Sequence, residues 1–253
     1  MNYGISILSI VPVRLEPNNR SEMTTQLIFG EHFKILESIK KWSKIQIAHD
    51  KYVGWISNNQ IQEINFEEYE KLDKEIPTLS TDILDIIQSD FNQPIVIGSV
   101  LPTFKSDHAL INNKMYKFTG NTTQGFTQKK HLINNAMVFL NAPYLWGGRT
   151  PFGIDCSGFT QIIYRLQGIK IPRDAYQQIN LGQEINLDNY EEGDLAFFEN
   201  KSGKITHVGL ILENNKIIHA SGQVRIDKLD EKGIFNSEKQ KYSHKLHSIK
   251  KLI

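Results

Sequence analysis

A chain of 253 residues with a formal net charge of +1 and 40% hydrophobic residues has the balance of a globular protein with room for two or three small domains. Lys and Arg are dispersed, so no basic patch argues for nucleic acid or a membrane surface, and a single cysteine excludes an intrachain disulfide. The first ten residues carry no basic leader or cleavage site, and no apolar run is long enough to span a bilayer, so the expected location is the cytoplasm.

In chain order, residues 1–63 predict a small β domain. Alternating runs at Ser9–Arg14, Phe33–Ser38, Ser43–Ala48 and Tyr52–Ile56 are separated by turn-rich stretches around Pro17–Arg20 and His49–Lys51. Val11–Arg14, Gln26–Glu31, Trp42 and the Asp50–Trp55 run together resemble a bacterial SH3-type module, with Gly54-Trp55 the most specific part. Such modules bind or position; without the resemblance, Trp55 reads as core of a small barrel. Residues 64–90 are acidic and amphipathic, with Phe66, Tyr69, Leu72, Leu79, Ile83, Leu84 and Ile87, and predict a linker with one or two short helices. β character returns over 94–120, where Asn112-Asn113 predicts a hairpin turn. Residues 64–122 are thus expected to hold a linker and a degenerate second SH3-like module, and 123–253 a separate domain.

That last domain is organised around Tyr144–Phe159. Its first half, rich in glycine, predicts an irregular loop; from Cys156 onward, Phe159, Ile162, Ile163 and Leu166 predict a helix with one buried face. Asp155 occupies the N-cap position, which places Cys156 in the first turn. There the helix dipole and unpaired N–H groups favour thiolate over thiol, against the ordinary value of roughly 8.5. A lone cysteine is otherwise most simply a buried structural residue. A strand at Gly193–Phe198 precedes a hairpin, Thr206–Leu212 and Lys216–Gly222, with His207 and His219 on its two strands. An odd loop at Glu213–Asn215 would put His219 opposite Gly209, on the same face as His207. Val224–Ile226 predicts an edge strand, and the basic tail after it a surface segment.

A cysteine nucleophile needs a base, and the base an orienting partner. Cys156, His207 and His219 supply these types, while His32, His49, His108, His131, His244 and His247 read as surface residues. Zinc is the rival use of one cysteine and two histidines, but the close ligand pairs of common zinc motifs are absent. No metal or cofactor is expected.

Six segments carry a more specific likeness. Tyr144-x-Trp-Gly-Gly148, Asp155-Cys-Ser-Gly158, Arg173-Asp174, Gly193-Asp-Leu195, His207-Val-Gly209 and Ile218-His-Ala-Ser221 resemble, in order, the NlpC-type cell-wall cysteine peptidases. With the SH3-type module in front, the chain resembles the γ-D-glutamyl-L-diamino-acid endopeptidases of murein recycling. The resemblance implies an α+β, papain-like cysteine peptidase domain preceded by a small all-β SH3-like barrel. It implies Cys156 as nucleophile, His207 as base, His219 as the residue holding the His207 ring, and Tyr144 near the oxyanion site. Asp155 and Ser157 would bind the amine of a murein tripeptide or tetrapeptide, with Trp146 as a pocket wall and Tyr52 and Glu22 as contributors from the module. The alternatives are an inactive wall-peptide-binding protein, a broader peptidoglycan hydrolase, and a lipid acyltransferase.

Overall fold

A computed structural model describes residues 2–253, which divide into two compact units, one up to Thr127 and one from Gln128 onward. In the first, β1 (Asn2–Ile5), β2 (Ile10–Arg14), β3 (Met23–Ile28), β4 (His32–Ile39), β5 (Trp42–Ile47), β6 (Val53–Ser57) and β7 (Gln62–Ile64) form one antiparallel sheet in the order β3-β2-β6-β5-β4-β1-β7. Strict alternation along β2 and β5 turns Val11, Val13, Ile45 and Ile47 into a core shared with Leu27, Phe33, Ile35 and Ile56. Tyr52 packs against that core, whereas Trp55 is only half-buried.

Helix α1 (Phe66–Lys74) starts where the Asn65 side chain accepts the Glu68 N–H at 2.8 Å, with acidic residues in its first turn and lysines in its last. The second helix considered for this stretch does not form. Leu79 lies in β8 (Thr78–Ser80), and Leu84 and Ile87 lie in β9 (Leu84–Gln88), which pairs with β10 (Asn92–Val96). The apolar spacing there suits either period, and strand pairing across the Ser89–Phe91 turn decides it. With β11 (Val100–Leu101), β12 (His108–Ile111), β13 (Lys114–Lys117) and β14 (Thr122–Gln124), these strands make a four-stranded and a three-stranded sheet. Asn112 and Asn113, at φ 49° and 61°, form the two-residue β12–β13 turn expected of them. The stretch shares one core with the β1–β7 sheet: Ile5, Phe29, Tyr69, Leu72, Ile87, Ile95 and Phe118 pack together.

The second unit begins with α2 (Lys130–Met137), then the short hairpin β15 (Arg149–Thr150) and β16 (Gly153–Ile154), then α3 (Cys156–Leu166) and α4 (Ala175–Gln178). β17 (Gln183–Ile185), β18 (Leu195–Glu199), β19 (Ile205–Leu212), β20 (Lys216–Ser221), β21 (Gln223–Asp230), β22 (Gly233–Asn236) and β23 (Lys241–Lys251) follow. They form a sheet in the order β17-β23-β18-β19-β20-β21-β22, and β22 also pairs with β23, closing the sheet on itself. Helix α3 packs on β19 and β20. All its residues are buried, not just the one face its periodicity predicts, because α2, α4 and β15 also pack on it.

The basic tail also differs from its expectation. Lys241–Lys251 is no surface segment but a full strand between β17 and β18. Its lysines disguise it: Lys245, Lys250 and Lys251 reach Glu199, Glu184 and Glu191, while His244, Leu246 and Ile249 turn inward. A strand needs only one buried face, so a charged composition does not forbid it.

Candidate active site

Asp155 is the N-cap of α3. Its backbone is extended (φ −95°, ψ 176°), and its Oδ1 accepts the Gly158 N–H at 2.7 Å, leaving Cys156 as the first helical residue. The cap also works as a buried charge centre. Oδ2 accepts the Gly147 N–H at 2.8 Å, and the Arg173 guanidinium straddles both oxygens, Nη1 to Oδ1 at 3.0 Å and Nη2 to Oδ2. Nη1 of Arg173 also donates to Ser157 Oγ at 2.9 Å. Arg173 is 1% exposed, so the pair sits in a medium that strengthens it. Gly158 is required by proximity: a Cβ there would lie 2.4 Å from the Gly148 carbonyl oxygen, which would push the glycine loop off the helix start.

The loop between β19 and β20 is Glu213–Asn215, with Leu212 opposite Lys216 and Leu210 opposite Ile218. This is the odd loop that brings both histidines to one face. His207 Nε2 lies 2.8 Å from His219 Nδ1, and both rings are buried. Gly209 makes room, since a Cβ there would stand 2.8 Å from the His219 Cβ. Beyond His219 the contacts continue: its Nε2 meets Asp227 Oδ2 of β21 at 3.1 Å, and Arg225 holds that carboxylate through Nε at 2.8 Å and Nη2 at 3.2 Å. On another side of His207, the His244 ring of β23 stacks at 4.0 Å between centroids with 19° between planes. His244 is therefore half-buried in the site and not a surface residue. The basic composition of β23 hides it in the sequence. The Cys156 thiol faces the backbone N–H groups of Ser157 and Val208, the latter adjacent to His207 in sequence.

The electrostatics reverse one expectation. Burial, followed by the negative charge of Asp155, pushes the Cys156 thiol up to about 12, against the smaller opposing effect of the Val208 N–H and Arg173. Dehydration outweighs the helix N-terminus. Burial also takes His207 well below the ordinary imidazole value, helped by its histidine neighbours. The resting pair is thus neutral thiol and neutral imidazole, and the base must take the proton as the sulfur attacks. Alkylation of Cys156 by iodoacetamide is expected to rise about tenfold per pH unit across the neutral range without levelling, because the thiolate fraction grows until the thiol's own pKa. A plateau in that rate near neutrality would show a resting thiolate and reject this charge state.

Tyr144 belongs to the same cluster. Its N–H donates to the Gly222 carbonyl, and its phenol is raised to about 12 by burial and then by Cys156 and Asp155, so it remains a hydrogen-bond donor. Trp146 is 59% exposed, which suits a wall more than packing. The structure therefore gathers Tyr144, Asp155, Cys156, Ser157, His207 and His219 in the second unit. Tyr52 and Glu22 belong to the first, Tyr52 with its N–H on Asp50 Oδ1 just before β6 and Glu22 exposed just before β3. Two functional-looking residues were not read from the sequence: Asp227, in an exposed-looking Arg-x-Asp run, and His244. The buried positions of β21, Val224, Asp227 and Leu229, do not alternate, so periodicity carries no signal for Asp227.

His207, His219 and His244 each present a ring nitrogen within 4.8 Å of the others, a spacing that also suits a metal. The ring geometry favours a relay. Stacked rings cannot both aim an in-plane lone pair at one ion at about 2.0–2.1 Å, and His207 Nε2 is already engaged with His219.

Residues 141–242 match the NlpC/P60 family, and residues 13–61 match the bacterial dipeptidyl-peptidase SH3 domain. A γ-D-glutamyl-L-lysine dipeptidyl-peptidase of Bacillus cereus is 28% identical, over 80% of this chain and 68% of that one. Dipeptidyl-peptidase 6 of Lysinibacillus sphaericus is 28% identical over 90% of this chain and 92% of its own. In three dimensions the fold is similar to an NlpC/P60 family protein from Bacillus cereus, with a TM-score of 0.83, 20% identity, and 99% of each chain covered. This chain thus joins a cysteine peptidase domain of the NlpC/P60 family to a bacterial SH3 domain that precedes it.

Proposed function

We propose that the protein is an endopeptidase that hydrolyses the γ-D-glutamyl–diamino-acid bond of murein peptides beginning with a free L-alanine. The observation that carries this reading is the buried His207–His219 pair beside a cysteine at the start of a helix. The names of the relatives supply the bond class. In the proposed reaction the Cys156 sulfur attacks the γ-carbonyl carbon while His207 takes the thiol proton. Tyr144 and the helix-terminal N–H groups of α3 face the developing oxyanion. Collapse of the tetrahedral species breaks the C–N bond, and His207 gives its proton to the departing amine. Water then attacks the thioester, with His207 again as base, and releases the dipeptide and the free thiol.

A cytoplasmic role in murein recycling is part of the proposal and rests on the resemblance to the recycling peptidases; cell fractionation tests it. No helix among the described residues is long and apolar enough to cross a membrane. We read residues 64–122 as a linker followed by a degenerate second SH3-like module.

The preference for a free amine is proposed to involve Asp155 and Ser157 beside the nucleophile. Asp155 already holds Arg173, so it offers the ammonium a lone pair more than a net charge. Tyr52 and Glu22 are assigned a part on the resemblance alone. The test is mass spectrometry of products from L-Ala-γ-D-Glu-meso-diaminopimelate and its lysine counterpart, free and N-acetylated. Acetylation removes the charged donor, and leaving the groups that would receive it buried and unpaired costs on the order of 3 kcal/mol, so it is expected to lower kcat/KM roughly 10²-fold. Ser157→Ala and Tyr52→Phe should each narrow that ratio. Equal cleavage of free and acetylated peptide would reject the amine preference, and no cleavage of either would reject the bond assignment.

A further inference from the structure

Asp227 lies behind the two histidines, and its side chain is 3% exposed. Its partners are His219 and Arg225 alone in the contacts described above, and Arg225 Nη1 in turn donates to Glu238 Oε2 at 3.1 Å. Burial works to raise the carboxyl, but the hydrogen bonds from His219 and Arg225 outweigh it and hold Asp227 below the ordinary carboxylate range. At neutral pH it is a carboxylate.

An ionised carboxylate only accepts. The hydrogen between His219 and Asp227 must therefore be on His219 Nε2. Burial keeps His219 neutral, and a neutral imidazole carries one ring hydrogen, so His219 Nδ1 is an acceptor. His207 Nε2, 2.8 Å away, must then be the donor. Neutral His207 has its hydrogen on Nε2 and its lone pair on Nδ1. One buried charge thus settles the tautomers of two rings in sequence. Without it, the His207–His219 hydrogen bond can run in either direction, and half of the arrangements leave His207 Nδ1 carrying a hydrogen and unable to take another.

We propose that Asp227, clamped by Arg225, is a positioning residue that sets the direction of the Asp227–His219–His207 hydrogen bonds and thereby presents the Nδ1 lone pair of His207 as the base. The inference rests on the reading of His207 as the base for Cys156. It gives His219 a different part from that of a passive ring support: His219 transmits the polarity set by the carboxylate. It also supplies what a neutral histidine partner lacks. When His207 takes the thiol proton and becomes cationic, the balancing negative charge stands one ring away, and no proton need leave His219. Arg225 has the complementary duty. Its two hydrogen bonds fix the carboxylate plane so that Oδ2 remains on the His219 side, and Glu238 steadies the guanidinium from outside.

Two measurements test this in full-length protein. In a Cys156→Ala background, histidine ring nitrogen chemical shifts are expected to report hydrogen on Nε2 for both His207 and His219. Asp227→Ala should turn each into a mixture of tautomers. With Cys156 present, Asp227→Ala should lower kcat roughly 10–100-fold at nearly unchanged KM, the size by which outer partners of working histidines commonly matter. Asp227→Glu should recover a good part of that loss, and Arg225→Met should show a smaller one. Should Asp227→Ala fail to fold, Asp227→Leu, similar in size but without an acceptor, decides by the same two readouts. A single unchanged tautomer in folded Asp227→Ala or Asp227→Leu protein, or kcat of either within about twofold of the wild type, overturns the proposal. Activity surviving His207→Ala would instead sink the base assignment, and the tautomer shifts would still judge Asp227 independently.

Discussion

Cys156→Ala and His207→Ala are each expected to lower turnover of the murein tripeptide by roughly 10⁴-fold or more, with far-ultraviolet circular dichroism and melting temperature little changed. The size follows from the way nucleophile and base act as one unit, so that removing either costs nearly as much as removing both. No second cysteine exists to substitute for the first. Stability should survive because the alanine at 156 keeps its place behind the Asp155 cap, whose partners are all outside the thiol. Loss of the His207 ring removes a stacking partner of His244 but leaves the β18–β19 ladder intact. His219→Ala should retain measurable activity, since that ring orients and does not itself exchange a proton with substrate. Near-normal product formation by Cys156→Ala in a mass-spectrometric assay would end the cysteine-peptidase reading.

The largest expected effect on stability belongs to Asp155. Asp155→Ala removes the carboxylate from a guanidinium that is 1% exposed and strips the acceptor from the N–H groups of Gly147 and Gly158. Breaking one side of a buried ion pair costs roughly 3–5 kcal/mol, with about 1 kcal/mol more for the lost cap. At roughly 2–4 °C per kcal/mol for a chain of this size, the melting temperature should fall by on the order of 10–15 °C. Thermal denaturation read by circular dichroism checks it, and a drop under about 3 °C would show that Asp155 is only a cap. The same result has a practical meaning for specificity. Activity lost in Asp155 variants will report the fold and the glycine loop together with any contact to substrate, which is why Ser157 and Tyr52 are the cleaner probes of amine preference.

Much of the second unit was legible in the residues themselves. The Asp155 cap, the helix from Cys156 and the odd Glu213–Asn215 loop are local features, decided by spacing and turn chemistry within a dozen residues, and they place His207 and His219 on one face. The alternating strands of the SH3-like sheet were legible for the same reason. What the sequence could not decide depends on partners far along the chain. Whether Leu84 and Ile87 belong to a helix or a strand turned on the pairing of β9 with β10, because their spacing satisfies both periods. The charged tail became a central strand only because β18 and β22 offered edges and distant glutamates met its lysines, which in turn brought His244 onto His207. The charge state of Cys156 is the sharpest case. A helix N-terminus lowers a thiol's pKa, and that much can be read locally; the burial of the whole helix and the charge of Asp155 raise it by more, and dehydration is a property of the packed tertiary structure alone.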